Sequence, residues 1–320
     1  MNNLYSSHFA LQLESLEATK HNAGFSLKYM GRHLRDFDSF CHSRYPGKNT
    51  LDKELTDAWI FNTKTHSAQE LEKRVRTMVH LGRHLLSQGL DAYVADNRFP
   101  RLKPREPYIF TDSQLAIFFM ACDSLASNPH FPYRHMVVPV MFRMIYCCGL
   151  RNAEAGQLKK RNVDLNNGTL CIYESKGHKS RTVYMSDDLT VLCRKYDLAV
   201  EALLPARPYF FPSPGGCYLS SSVCRVFDTV MDRAGFAKEA SKKPTCHGLR
   251  HVFTVNSMRK CLAEGGNFDH ALRYLSRYLG HSSPQETMYY LHMTVNLATD
   301  IRSSASSLEQ VVGGVKHVEE

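Results

Sequence analysis

The sequence predicts a mainly α-helical protein of two domains with one small β-hairpin, and three observations carry that prediction. Apolar residues recur at three- and four-residue steps over most of the chain, the stripe of helices that face a core. Runs of β-formers are confined to Thr169–Glu174 and Arg181–Met185. A basic, proline-bearing stretch from Arg98 to Pro107 interrupts a chain of 320 residues, a length that favours two domains over one.

Residues 1–97 read as the first, all-helical domain. Phe25, Leu27, Met30, Leu34, Phe37 and Phe40 form one apolar stripe, which Pro46-Gly47 ends. Leu55–Phe61 and Leu71–Leu86 continue the helical period, with Gly89 as a stop signal. Lys28, Arg32, His33, Arg35, Lys73, Arg74, Arg76, Arg83 and His84 are expected on exposed faces. Singly each is a solvated polar residue; as a group they suit a small helical clamp on a DNA backbone.

In the linker, 98–107, prolines at 100, 104 and 107 favour an extended chain. Arg98, Arg101, Lys103 and Arg105 would lie along phosphates there.

Residues 108–292 read as the second domain. Thr111-Asp112 is a helix N-cap signal for Ser113–Leu125. His135–Cys148 is an apolar helix that runs into Gly149-Leu150-Arg151, and Glu154 and Leu158 follow at helical spacing. The two β runs are joined by Ser175-Lys-Gly-His-Lys-Ser180, a hairpin with a basic turn. Helices are expected again at Leu189–Leu203, Ser221–Ala234, His247–Leu262 and Ala271–Leu279. The last part, 293–320, holds one more helical stretch near Val295–Leu308 and then a polar tail.

Forty Lys and Arg against thirty-one Asp and Glu give a formal charge of +9, which favours polyanionic partners and nucleic acid first. The ten cysteines include an adjacent pair, Cys147-Cys148, but no C-x-x-C. The start of the chain lacks the basic and apolar regions of a secretory signal. Free thiols in a reducing cytoplasm are therefore expected. Cys246-His247 and Cys261 lack the paired spacing of structural zinc sites, so no metal is expected. No apolar run reaches the roughly 18–20 residues of a membrane span. The best, Met136–Cys148, is short and contains Arg143.

Chemistry-bearing residues concentrate around Thr245-Cys-His-Gly-Leu-Arg-His251 and Leu279-Gly-His281, the latter followed by Tyr289-Tyr290. Guanidinium forks match phosphate oxygens, imidazoles move protons near neutral pH, and a phenol can act as a nucleophile. His247 stands one helical turn before Arg250, so the two share a face, whereas His251 is assigned to another face and to packing. Arg151 alone reads as a cap or surface residue, Glu154 equally as an ordinary helix salt bridge or as an acid orienting a guanidinium. Composition does not choose among Lys176, Lys179 and Arg181 on the hairpin. Either tyrosine could belong to the core.

The order of these segments resembles the tyrosine recombinases, the phage integrase family. Gly149-Leu-Arg-x-x-Glu comes first, then the basic hairpin Ser175-Lys-Gly-x-Lys-x-Arg181. His247-x-x-Arg250-His251 follows, then Leu279-Gly-His281 with Tyr290 nine residues further on. The resemblance covers the second domain, and the helical first domain with its basic linker suits that family's core-binding domain.

The resemblance implies a two-domain DNA clamp of helical core-binding domain and integrase-type catalytic domain. It implies Tyr290 as nucleophile, Arg151 and Arg250 as phosphate-clamping arginines, and Lys176 as the proton donor to the leaving 5′ oxygen. His247 would assist proton removal, His281 would donate to the phosphate, and Glu154 would support. Apart from the resemblance, Lys179 and Arg181, neighbours of Lys176 with the same reach, are candidate DNA-binding residues. Cleavage through a 3′-phosphotyrosyl bond needs no metal, no ATP and no other cofactor. The implied partners are double-stranded DNA, three further copies of the chain in a homo-tetramer on DNA, and accessory DNA-bending or directionality proteins. Two alternatives stand beside it: a catalytically idle DNA-binding regulator on the same fold, and a telomere resolvase or type IB topoisomerase-like strand rejoiner. The stretch between Arg250 and His281 is longer than the family pattern, and a loop insertion is expected around Cys261–His270. Pro284 fits the first turn of a helix.

Overall fold

The computed structural model describes residues 4–25, 27, 29–62, 67–96, 108–175, 179–236, 244–281 and 283–292. Lys28, Arg98, Arg101, Lys103, Arg105, Lys176 and the stretch 295–308 lie outside them, as do the side chains of Lys179 and Tyr290. The chain divides into two compact units, Met1–Arg105 and Glu106–Glu320. Among the described residues no helix is long and apolar enough to cross a membrane. All ten cysteines are free thiols.

The first unit packs four helices: α1 (Ala10–Asn22), α2 (Met30–Arg44), α3 (Lys53–Phe61) and α4 (Ala68–Ser87). Asp52 and Ser67 cap α3 and α4 by accepting from the backbone N–H of Leu55 and Glu70. Phe9, Leu13, Leu34, Phe37, Leu55, Trp59 and Met78 fill the core. The expected stripe is right from Met30 onward, but Phe25 is 60% exposed and precedes the helix. Two residues expected on exposed basic faces are buried instead. His33 sits between Thr77 Oγ1 (3.1 Å) and Glu70 Oε1 (3.0 Å). The Arg74 guanidinium lies 4.0 Å over the Trp59 ring and 2.7 Å from Asp36. Both stand on core-facing positions of amphipathic helices, and each finds a polar partner there.

The second unit begins with α5 (Asp112–Asp123), whose N-cap Thr111 forms a capping box with Gln114. Next come α6 (Arg134–Cys148), α7 (Asn152–Gly156), a single 3-10 turn at Lys160–Asn162, and an antiparallel sheet. The sheet has strands β1 (Val163–Asp164), β2 (Thr169–Ser175) and β3 (Lys179–Tyr184), in the order β1-β2-β3. The short β1 was not foreseen. Then follow α8 (Asp187–Leu203), α9 (Ser220–Arg233), α10 (Cys246–Ala263), α11 (Phe268–Leu279) and α12 (Pro284–His292).

Helix α6 runs through the core, with Val137, Met141, Phe142, Met144, Ile145 and Cys148 buried. Phe110, Phe118, Phe142 and Phe227 meet around it at centroid distances of 5.2–6.4 Å. Arg143, the charge within this apolar helix, turns to a bidentate contact with Asp123 at 2.7 Å.

The loop insertion expected around Cys261–His270 is not what the structure contains. Helix α10 continues to Ala263 and α11 begins at Phe268, so four residues connect them. Cys261, Leu262 and Phe268 pack against Met258, Ala271, Leu272 and Leu275. These added residues are helical because they carry an apolar face with something to cover.

Candidate active site

Two helices end in the same way and create the site. Gly149 terminates α6 at φ 60° and Gly280 terminates α11 at φ 66°, a left-handed conformation that only glycine adopts without penalty. Each turn presents carbonyl groups to an arginine from far along the chain. Arg250 of α10 donates through Nη1 to Gly149 O and through Nη2 to Leu279 O, both at 2.6 Å. Arg151 donates through Nη2 to Gly280 O at 2.7 Å. A Cβ at Gly149 would stand 2.5 Å from the Phe253 ring, so a side chain there would push the turn apart.

Glu154, on α7, is the centre of the arrangement and is 6% exposed. Its Oε1 accepts from Arg151 Nη1 (2.8 Å) and Arg181 Nη1 (2.9 Å). Its Oε2 accepts from the Arg151 backbone N–H (2.9 Å) and Arg181 Nη2 (2.7 Å). Arg250 Nη1 is 3.9 Å from the same oxygen. Burial opposes the charge on this carboxylate, but Arg181 and then Arg151 outweigh it and hold the pKa down to about 2. Three guanidiniums thus gather around one carboxylate.

The imidazoles around this cluster are neutral. His281 Nε2 lies 3.1 Å from Arg250 Nη2, which can only donate, so Nε2 accepts and Nδ1–H donates to Thr287 Oγ1 at 2.7 Å. Burial, with Arg250 and Arg151 adding to it, lowers His281 to about 3. Burial and the same two arginines lower His247 to about 4. His251 is lowered to about 3 by burial, then by His247 and Arg250. The assignment of His251 to a different face is corrected: its ring meets that of His247 at 4.6 Å, edge to face, as neighbours four apart on a helix do.

The structure therefore brings Arg151, Glu154, His247, Arg250 and His281 together from three segments. It differs from the expectation in two respects. Arg181 is not a surface contact: its side chain is 8% exposed and bidentate on Glu154. Alternation along β3 signals this, since Arg181 shares parity with Val183, which is buried, while Thr182 and Tyr184 face outward. Arg250, expected to clamp a phosphate, is 0% exposed, whereas the Arg151 side chain is 19% exposed. Sequence reasoning also missed Thr287, a buried hydroxyl that ties α12, the helix carrying Tyr290, to His281. Its one signal is a polar residue on a helix six positions after a histidine. Among the described residues, no group of three or more His, Cys, Asp and Glu side chains could hold a metal ion.

A sequence profile described as the phage integrase family matches residues 122–296. The chain belongs to that family, the tyrosine recombinases, whose members are site-specific DNA recombinases. A protein of Sinorhizobium fredii named as an integrase/recombinase, y4rE, is 30% identical over 204 residues. That alignment covers 62% of this chain and 64% of the relative, so the chain spans somewhat less than two thirds of it. Tyrosine recombinase XerC of Oceanobacillus iheyensis is 23% identical over 310 residues, 88% of this chain and 90% of the relative. Among solved structures, XerH recombinase bound to its difH substrate superposes with a TM-score of 0.64 at 18% identity, covering 93% of this chain and 84% of the other. A lambda integrase dimer on a core site gives 0.62 at 14% identity, covering 87% and 93%. These structures share the fold.

Proposed function

We propose that the protein cuts and rejoins double-stranded DNA at a specific site through a covalent tyrosyl intermediate. The observation that carries this reading is the convergence of Arg151, Arg181 and Arg250 on Glu154 in a low-dielectric site beside neutral imidazoles. Guanidiniums so gathered stabilise the charge that develops on a phosphodiester under attack. Arg151, partly exposed, meets the non-bridging oxygens, while Arg250 acts from its enclosed position through its field until DNA opens that contact.

In the first step the Tyr290 oxygen attacks phosphorus and the bond from phosphorus to the 5′ oxygen breaks, leaving a 3′-phosphotyrosyl bond. The phenol proton passes to His247, whose neutrality at physiological pH suits a base and whose low basicity rises when an anion enters. Lys176 supplies the proton to the leaving 5′ oxygen. A 5′ hydroxyl of a partner strand reverses the step, so no ATP is consumed. Exchange between two duplexes uses four copies of the chain, and the reducing cytoplasm is its place of work. The first unit, the basic linker 98–107 and Lys179 hold the DNA backbone.

Nicked suicide duplexes tiling the DNA that flanks the protein's own gene test this on a denaturing gel. The expected result is a covalent adduct lost with Tyr290→Phe and kept with Tyr289→Phe. Tight DNA binding without an adduct would overturn the recombinase reading in favour of a DNA-binding regulator.

A further inference from the structure

Arg181 has a role that its place beside a basic turn does not suggest. It belongs to β3, where it pairs with Ile172 of β2 in the antiparallel ladder, so the sheet fixes its backbone. From there both terminal nitrogens reach Glu154, one to each carboxylate oxygen, at 2.9 and 2.7 Å. The same two oxygens also receive the side chain and backbone N–H of Arg151. The Arg181 side chain passes close against the Gly280 turn: a Cβ on Gly280 would stand 3.2 Å from its Nη1 and 3.5 Å from its Cδ. That turn accepts from Arg151 and leads directly into His281.

We propose that Arg181 is a positioning residue for phosphoryl transfer, locking Glu154 from the sheet so that Arg151 and the Gly280–His281 turn are held in register. The proposal rests on the recombinase reading of the site. Without Arg181, Glu154 keeps only Arg151 close and can swing toward Arg250, 3.9 Å away. Arg151 then loses the fixed carboxylate that sets its fork. A misplacement of about 1 Å in such a group costs on the order of 100-fold in rate.

The pH dependence follows from the groups facing Glu154, which are Arg151 at its own helix start, Arg181 from β3, and Arg250 and His247 from α10. Arg181 leads the influences that hold this carboxyl low against burial. Its removal lets burial raise the carboxyl, so that protonation releases Arg151 at mildly acidic pH.

The test has two arms on the full chain. Carbon-13 NMR of the Glu154 carboxyl, assigned with Glu154→Gln, follows its titration in wild type and in Arg181→Gln without DNA. We expect the carboxyl to titrate at higher pH in the variant, and an unchanged titration overturns the proposal whether or not the protein cleaves DNA. In the second arm, single-turnover adduct formation on the suicide duplex is measured from pH 8 to pH 5.5 beside DNA affinity. Arg181→Gln is expected to slow cleavage 10- to 100-fold, more at low pH, with affinity within twofold of wild type. Arg181→Lys is expected to recover part of the rate and stands in where Arg181→Gln does not fold. The double variant Glu154→Gln/Arg181→Gln should be no slower than Glu154→Gln alone. Lost affinity at an unchanged rate would make Arg181 a DNA contact. A pH-independent fall, deepened further in the double variant, would make it only a structural ion pair.

Discussion

The two units of the molecule each bury an arginine against a carboxylate, and they differ in stoichiometry. In the first, Arg74 pairs with Asp36, and Trp59 lies under the guanidinium while its Nε1–H donates to the same oxygen at 3.0 Å. Elsewhere in the second unit Arg207 and Lys160 are matched by Asp197 and Glu201. Among the described residues, each of these clusters sets one carboxylate against each cation. Around Glu154, in contrast, three guanidiniums converge on one carboxylate. A convergence of that kind suits an anion, and it marks the site more sharply than any single residue does.

Glu154→Gln should break the comparison most severely. It removes the carboxylate around which Arg151, Arg181 and Arg250 gather, so we expect a loss on the order of 3–5 kcal/mol in denaturant unfolding. Adduct formation by the folded fraction should fall about 100-fold.

Acid is the next lever. His247, His251 and His281 are lowered to about 4, 3 and 3, so below pH 6.5 the unfolded chain takes up protons that the folded one refuses. Stability therefore falls as pH drops from 6.5 toward 4, at about 1.4 kcal/mol per pKa unit for each ring. Unfolding midpoints at pH 7 and pH 5 measure it, and a midpoint unmoved between them would contradict the neutral imidazoles. Cleavage that needs neutral His247 should persist below pH 6.5 in the folded protein.

Arg74→Met sharpens the contrast from the other side. It removes a cation–π contact and one ion pair to a half-exposed Asp36, a cost of about 1–2 kcal/mol. The adduct rate per folded molecule should not change, and a slowed rate would give the first unit a part in the chemistry. Thr287→Val removes one buried hydrogen bond to His281, worth about 1 kcal/mol. It should lower the melting temperature by about 2–4 °C.

Much of this site was legible in the chain because its markers are local. Gly149-Leu-Arg-x-x-Glu carries its own helix end and helix start, and His247 and Arg250 lie one turn apart on α10. The helical period and the capping signal at Thr111 located α5, α6 and α8 to within a few residues. Local pattern failed where a partner lay far off in sequence. His33 and Arg74 looked like solvated charges, since Thr77 and Asp36 are 44 and 38 residues away from them. Arg181 looked like a turn charge because Glu154 is 27 residues distant. The Cys261–His270 stretch looked like a loop, since Gly265-Gly266 is conspicuous and the apolar face that continues the helices shows only in packing.

The sequence by itself determined which chemical groups are present, their order, and the glycines that end α6 and α11, because periodicity and capping act over a few residues. Only the tertiary structure decided which charges meet. Arg250 reaches Gly149 across 101 residues and Arg151 reaches Gly280 across 129. Contacts at that range are set by how helices and sheet pack, and the electrostatic character of the site follows from them.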